Sequence, residues 1–341
     1  MKVAIGPVFS EVDGVSQYIF GIKKYSSHKV IELPSKFIRI FLTRSNRGKR
    51  FYKNYMNKVG LSNYDIIHSN VSTWFNNLCL FSKTDNIKWI HTYHTIYFEE
   101  DYDGGLKQWQ KRINNSLIEV ASRADIRISI SKWLHDYLFE KYSIRTEIIP
   151  NGIDLELCRN ANPDRFKTKY DLNNFILYVG NIESLKNPTF FVKLASKMPD
   201  IKFVMIGRSL NEVNLKKYYK INIPKNLITM NIMKHIDVLD AIAACDVFVM
   251  TSKREGIPTA LLEAMAIGKI VVVPDHSGCK EVLESSINGF LYEPDSIDDL
   301  AKNTKKALIS EDNIKKNARK RVSEVYDWKV LIKKIDLLYE T

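Results

Sequence analysis

Arg254-Glu255-Gly256-Ile257-Pro258-Thr259-Ala260-Leu261-Leu262-Glu263-Ala264-Met265-Ala266-Ile267-Gly268 decides how the rest of the chain is read. Two acids, Glu255 and Glu263, stand eight positions apart around a short helical pattern. Pro258 suits a first helical turn, where its missing N–H removes nothing the helix needs. Gly268 suits a C-terminal stop. A helix is therefore expected to begin just after Glu255, with unpaired N–H groups near Gly256 to Ala260. Such an end carries a partial positive charge of about half a unit and attracts anions. Carboxylates beside a row of free donors suit a ligand that has both hydroxyls and phosphates. The bland alternative is a helix cap and a solvated face; Gly256 and Pro258 between the acids favour the site.

Length and composition agree. The 341 residues are enough for two ordinary domains, and 45% hydrophobic content is ample for their cores. No run approaches the roughly 18 apolar residues that a spanning helix needs. The opening Met1 to Gly6 reads as a first strand rather than a leader. Cys79, Cys158, Cys245 and Cys279 show neither metal spacing nor a disulfide pattern, so reduced thiols and a cytoplasmic setting are expected.

The net charge of +12 is unevenly spread. Lys36, Arg39, Arg44, Arg47, Lys49, Arg50, Lys53 and Lys58 form an acid-free run, interleaved with Phe37, Phe41, Phe51, Tyr52 and Tyr55. This pattern over 36–58 suits an anionic membrane surface, such as the inner face of the cell membrane, or an anionic acceptor. A solvated helical pair and nucleic acid are the other readings. No nucleic-acid motif accompanies the run, so no specific nucleic-acid partner is expected.

Short apolar runs alternate with amphipathic ones, the pattern of parallel α/β units. Strands are expected at 2–5, 66–68, 89–92, 126–130 and 146–149, with helices at 15–25, 106–122 and 132–142. After the turn cluster Pro150-Asn151-Gly152-Ile153-Asp154 a second series follows. Its strands are expected at 175–179, 202–206, 228–230, 247–250, 270–273 and 289–292. Its helices are expected at 188–197, 238–244, 258–267, 280–284 and 297–308. The fold class is α/β, with a hinge near 150–170 between two sheets. Ligands in such sheets lie at the carboxyl ends of the strands, here in a cleft between the two domains.

The expected strand ends carry the remaining candidates. Gly180 lets backbone pass close to a ligand, and Lys186 is a point charge just before a helix, suited to a diphosphate. Glu255 and Glu263, ionised by default, suit sugar hydroxyls, leaving Lys186, Arg208 and helix N–H groups for the anion. Asp13-Gly14-Val15-Ser16 opens a helix through a loop that suits a phosphate. His94, at another strand end, suits either a sugar oxygen or a structural role.

Together these features resemble the retaining glycosyltransferases of family 4, with the GT-B architecture of two Rossmann-like domains facing across a cleft. The Glu-x7-Glu element at Glu255 and Glu263 is the strongest part. Pro150-Asn151-Gly152-Ile153-Asp154, Ser129-Ile130-Ser131-Lys132, Tyr178-Val179-Gly180 with Lys186, Ser277-Gly278 before Glu281 and Asn288-Gly289-Phe290-Leu291 support it. The resemblance implies an acceptor-side domain over 1–155, a donor-binding domain over 156–322, and a terminal helix over 323–341 that crosses back. It implies that Glu255, aided by backbone around Gly256, Ile257 and Pro258, contacts the donor sugar. Glu263 would accept from the ribose hydroxyls, Lys186 would neutralise the diphosphate, and backbone near Asn231 to Lys234 would hold the base. Gly14 would close on the phosphates, and His94 would touch the sugar near its reacting carbon.

The family usually places an arginine after the glycine of this loop, and here stands Asn181; Arg208 at the next strand end is the candidate replacement. The implied reaction moves a hexose-type sugar from a nucleoside-diphosphate sugar to a glycan or lipid-linked acceptor, with retention and with neither metal nor cofactor. The alternatives are a nucleotide-sugar-binding subunit without chemistry, which Asn181 suggests, and another GT-B enzyme such as a nucleotide-sugar epimerase.

Overall fold

The computed structural model describes residues 1–9, 13–34, 61–84, 86–102 and 104–341. The basic segment 36–58, expected to meet a membrane surface, lies outside the described residues. The chain divides into two compact units. One comprises Met1–Glu100, Gly104–Gly152 and Trp328–Thr341; the other comprises Asp101–Asp103 and Ile153–Asp327.

In the first unit, β1 (Lys2–Val8), β2 (Lys29–Pro34), β3 (Ile66–Ser69), β4 (Lys88–Tyr93), β5 (Ile126–Ser129) and β6 (Glu147–Ile148) form a parallel sheet in the order β2-β1-β3-β4-β5-β6. Side chains alternate between its faces, as the strand period of two requires. Val3, Ile5, Ile66, Ile90 and Ile128 pack with the helices Gly14–Tyr25 and Trp328–Glu340. Ala4, Ile67 and Trp89 pack with the helix Thr73–Ser82. Both faces are covered, so the strands read as apolar runs rather than alternating ones.

The second unit repeats the scheme. β7 (Phe175–Asn181), β8 (Lys202–Arg208), β9 (Leu227–Met230), β10 (Val247–Val249), β11 (Ile270–Pro274) and β12 (Phe290–Tyr292) run parallel in the order β12-β11-β10-β7-β8-β9. Leu177, Val204, Phe248 and Val271 face the helix Thr259–Ile267. Ile176, Phe203, Val247 and Val272 face the helices Pro188–Lys197 and Ile297–Leu308. The expected α/β class with two parallel sheets is what the chain forms.

Several local expectations need correction. β2 and the helices Thr73–Ser82, Glu212–Tyr219 and Asp312–Val325 were not anticipated. Thr73–Ser82 buries Trp74, Phe75, Asn76, Leu78, Cys79 and Ser82, so it lacks the broad polar face that marks a surface helix. The single helix expected over 106–122 is α-helical only over Gln108–Asn115; it widens to a π-turn over Ser116–Val120 and ends as a 3-10 turn over Ala121–Arg123. At the wide turn the Leu117 carbonyl accepts the Tyr93 hydroxyl at 3.1 Å. Pro258 is the N-cap of Thr259–Ile267 and lies just outside its first turn. Gly268 ends that helix in the left-handed conformation (φ 84°), as expected. All four cysteines are free and buried. Among the described residues no helix is long and apolar enough to cross a membrane.

Trp328, which opens the last helix, lies where Gly21 and Gly152 have no side chains: a Cβ at either glycine would stand 2.1 Å and 2.5 Å from the indole. Trp328→Ala is therefore expected to cost about 3–5 kcal/mol. Urea unfolding measures this, and a loss below about 1 kcal/mol would show that the indole does not fix this helix.

The same unit buries three histidines. His68 contacts Tyr339 Oη and Thr92 Oγ1, both at 2.8 Å; His91 contacts Ser69 Oγ at 2.7 Å; His94 contacts Asn70 Oδ1 at 2.8 Å. Burial, with some repulsion from His94, pushes the His68 pKa down to about 3. Burial also takes His94 to about 3, against the opposing pull of Asp13, and holds His91 well below the ordinary range. Unfolding exposes them to protonation near pH 6.5. Between that pH and the native values the unfolded chain binds more protons, so stability is full above about pH 6.5 and falls as pH drops. The expected slope is about 1.4 kcal/mol per pH unit for each histidine. Denaturant midpoints between pH 7.5 and 5, above most carboxylate titration, should show it; a flat profile would contradict it.

Candidate functional site

The second unit brings several sequence candidates to the carboxyl ends of its strands. β7 ends in Gly180-Asn181, and β8 ends beside it in Gly207-Arg208, paired in register. The two chains meet so closely that a Cβ on Gly207 would stand 1.6 Å from the Gly180 carbonyl oxygen. Gly180 also accommodates protein: a Cβ there would lie 2.4 Å from the Tyr178 hydroxyl. That hydroxyl donates to the Lys186 carbonyl at 3.0 Å. The Asn181 side chain accepts the Glu183 N–H at 3.0 Å, a local turn that shapes the loop leading to Lys186. The residue that departs from the family pattern thus has a backbone-shaping contact. Arg208, next to it on β8, is exposed.

Lys186 closes the 3-10 turn Ser184–Lys186, just before the helix Pro188–Lys197. Its Nζ lies 2.6 Å from Glu255 Oε1, with side-chain exposures of 30% and 10%. Burial opposes the lysine charge, but the charge and hydrogen bond of Glu255 outweigh it and raise the Lys186 pKa. The pair is thus ionic, and partial removal from water makes it stronger than an exposed pair.

The Glu255 backbone is fixed at both ends. Its N–H donates to Ser277 Oγ at 3.1 Å, and its carbonyl accepts the Gly278 N–H at 3.0 Å. Gly278 passes so near this loop that a Cβ would stand 1.1 Å from the Gly256 carbonyl oxygen. Ile257 is a core residue, so its side chain is unavailable to a ligand. Pro258 has no N–H, which leaves the first-turn N–H groups beginning at Thr259 as donors at the helix start.

Glu263 is buried on the helix Thr259–Ile267, where His235 Nε2 lies 2.7 Å from its Oε1. Burial disfavours the His235 charge, but the hydrogen bond and charge of Glu263 exceed that effect and raise its pKa. His235 opens the helix His235–Ala244 and was not among the sequence candidates. Asp101 was also missed. Its carboxylate is buried, accepts Arg254 Nε at 2.8 Å, and its carbonyl accepts the Ser184 hydroxyl at 3.0 Å. One residue therefore holds both loops that carry Lys186 and Glu255.

The first unit carries the other two candidates. Gly14 begins the helix Gly14–Tyr25, whose N-cap Asp13 accepts the Ser16 N–H at 2.9 Å. A Cβ on Gly14 would meet nothing within 4 Å. His94 follows β4, neutral and hydrogen-bonded to Asn70. Among the described residues no cluster of three histidine, cysteine or acidic side chains could hold a metal ion.

Family comparisons agree with these elements. The model for Glycosyltransferase Family 4 matches residues 12–157, and the model for Glycosyl transferases group 1 matches residues 161–324. The UDP-Gal:alpha-D-GlcNAc-diphosphoundecaprenol alpha-1,3-galactosyltransferase of Escherichia coli is 28% identical over 228 residues, 61% of this chain and 57% of that protein. The N-acetylgalactosamine-N,N'-diacetylbacillosaminyl-diphospho-undecaprenol 4-alpha-N-acetylgalactosaminyltransferase of Campylobacter jejuni is 27% identical over 237 residues, 67% of this chain and 63% of that protein. The alignments thus span about three fifths of these relatives. Among solved structures, Anabaena HepE in complex with UDP-glucose superposes with a TM-score of 0.78 at 17% identity, covering 100% of this chain and 99% of that one. The two family models together cover most of both units, and the chain belongs to the family 4 glycosyltransferases, with the GT-B fold.

Proposed function

We propose that this glycosyltransferase retains anomeric configuration and moves a hexose from a nucleoside-diphosphate sugar to a glycan or lipid-linked acceptor. The observation that carries the proposal is the Lys186–Glu255 pair, held at the strand ends beside the start of the helix Thr259–Ile267. It offers a cation for a diphosphate and a carboxylate for sugar hydroxyls within one hydrogen bond of each other. The two undecaprenol-linked relatives support a lipid-linked acceptor, and the UDP-glucose complex of HepE makes uridine donors the first to test.

In this reading the incoming diphosphate competes with Glu255 for Lys186, and the freed carboxylate turns to the sugar. Glu263, with one oxygen held by His235, presents the other to ribose hydroxyls. As the anomeric C–O bond breaks, negative charge grows on the β-phosphate. Lys186, Arg208 and the helix N–H groups stabilise it without a metal ion. The acceptor hydroxyl attacks from the face the leaving group departs, and its proton passes to a phosphate oxygen. Contact of residues 36–58 with the anionic inner face of a membrane would bring the enzyme to a lipid-linked acceptor.

Turnover of UDP-glucose and UDP-galactose with a diphosphoundecaprenol-linked sugar tests this. Glu255→Gln and Lys186→Ala are each expected to lower kcat/KM by about 100-fold or more, and the product should keep the donor's anomeric configuration. Undiminished turnover in either variant, or an inverted product, would contradict the proposal. Gly278→Ala tests the loop rather than the charges. Its new methyl must displace the Gly256 carbonyl, so kcat/KM should fall by about tenfold or more with both charged residues present. An unaltered kcat/KM would show that this packing does not set the site.

A further inference from the structure

The amino ends of the second sheet carry a cavity of about 780 Å³, far along the strands from Lys186 and Glu255. Asn174, Asp246 and Lys269 line it, each one residue before the start of β7, β10 and β11, which are neighbours in the sheet. Lys315, Lys316 and Arg319 line it from the helix Asp312–Val325.

Three of these cations have fixed or shared positions. Lys269 Nζ donates to the Cys245 carbonyl at 2.8 Å. Arg319 donates to the Ile267 carbonyl at 3.0 Å and lies where Gly268 has no side chain. Lys315 pairs with exposed Asp312 at 2.8 Å. Asp246 differs: Lys269, Lys167 and Lys315 act on it through charge, yet it has no ion pair among the described residues. Burial raises the Asp246 pKa despite those lysines, and burial with repulsion from Lys315 and Lys167 lowers that of Lys269. Lys269, Lys315, Lys316 and Arg319 line the cavity against only Asp246 and Asp312, so positive charge is in excess here.

Four cations around a space of small-molecule size suit a phosphate group. A carboxylate beside them repels a second anion but accepts hydroxyl hydrogens. A polyanion such as nucleic acid would face both Asp246 and Asp312. We infer that this cavity is a second ligand site, for a phosphorylated polyol of the sugar-phosphate class, with the phosphate on Lys315, Lys316 and Arg319 and the hydroxyls on Asp246. The inference is independent of the transfer reaction proposed above.

Isothermal titration with glucose 6-phosphate, inorganic phosphate and glucose tests it. Glucose 6-phosphate should bind saturably and more tightly than either fragment. Lys316→Glu with Arg319→Glu should weaken it by about tenfold or more, Lys315→Ala should weaken it with the Gly268 cap untouched, and Lys186→Ala should leave it unchanged. Asp246→Asn should weaken glucose 6-phosphate but not inorganic phosphate. Absence of saturation up to about 10 mM, undiminished binding in the Lys316→Glu with Arg319→Glu variant and in Lys315→Ala, or binding lost with Lys186→Ala would overturn the site. Equal affinity for inorganic phosphate would overturn the sugar-phosphate class.

Discussion

A lysine and a glutamate held 2.6 Å apart at the ends of parallel strands organise the candidate site. An exposed pair of this kind contributes little. Here the glutamate is nearly buried, its backbone is tied at both ends to Ser277 and Gly278, and the lysine's carbonyl is tied to Tyr178. The two charges can therefore exchange partners without the loops that carry them having to be rebuilt. That combination, opposite charges in fixed frames, is what binding a ligand with both anionic and hydroxyl groups requires.

The frames depend on absences of side chains as much as on contacts. Gly278 lets one loop touch the Gly256 carbonyl, Gly180 admits the Tyr178 hydroxyl, and Gly207 lets β8 lie against β7. Asp101 then joins the Lys186 loop to the Glu255 loop through Ser184 and Arg254. A buried carboxylate in this position is stable because it is paired and hydrogen-bonded.

Much of this was legible in the chain. Apolar runs such as 175–179 and 270–273 read as buried parallel strands, and Pro258 and Gly268 bracketed the helix between them. Lys186 and Glu255 were both identifiable as candidates for one strand-end site. Their mutual pairing was not, because 69 residues separate them and only the sheet brings them together. His235 and Asp101 were invisible for the same reason: their partners lie 28 and 153 residues away. The tyrosine that Gly180 makes room for was not legible, since a glycine's need for space does not say which side chain fills it. The helix Thr73–Ser82 escaped because a segment buried on most sides loses the periodicity that reveals surface helices.

A structure of the chain with a uridine-diphosphate hexose bound is the most direct test of the central claim, that the ion pair opens to grip an activated sugar. The account predicts Lys186 Nζ within hydrogen-bonding distance of a diphosphate oxygen and the Glu255 carboxylate turned to a sugar hydroxyl. A bound donor lying elsewhere, with the Lys186–Glu255 pair still closed, would contradict it.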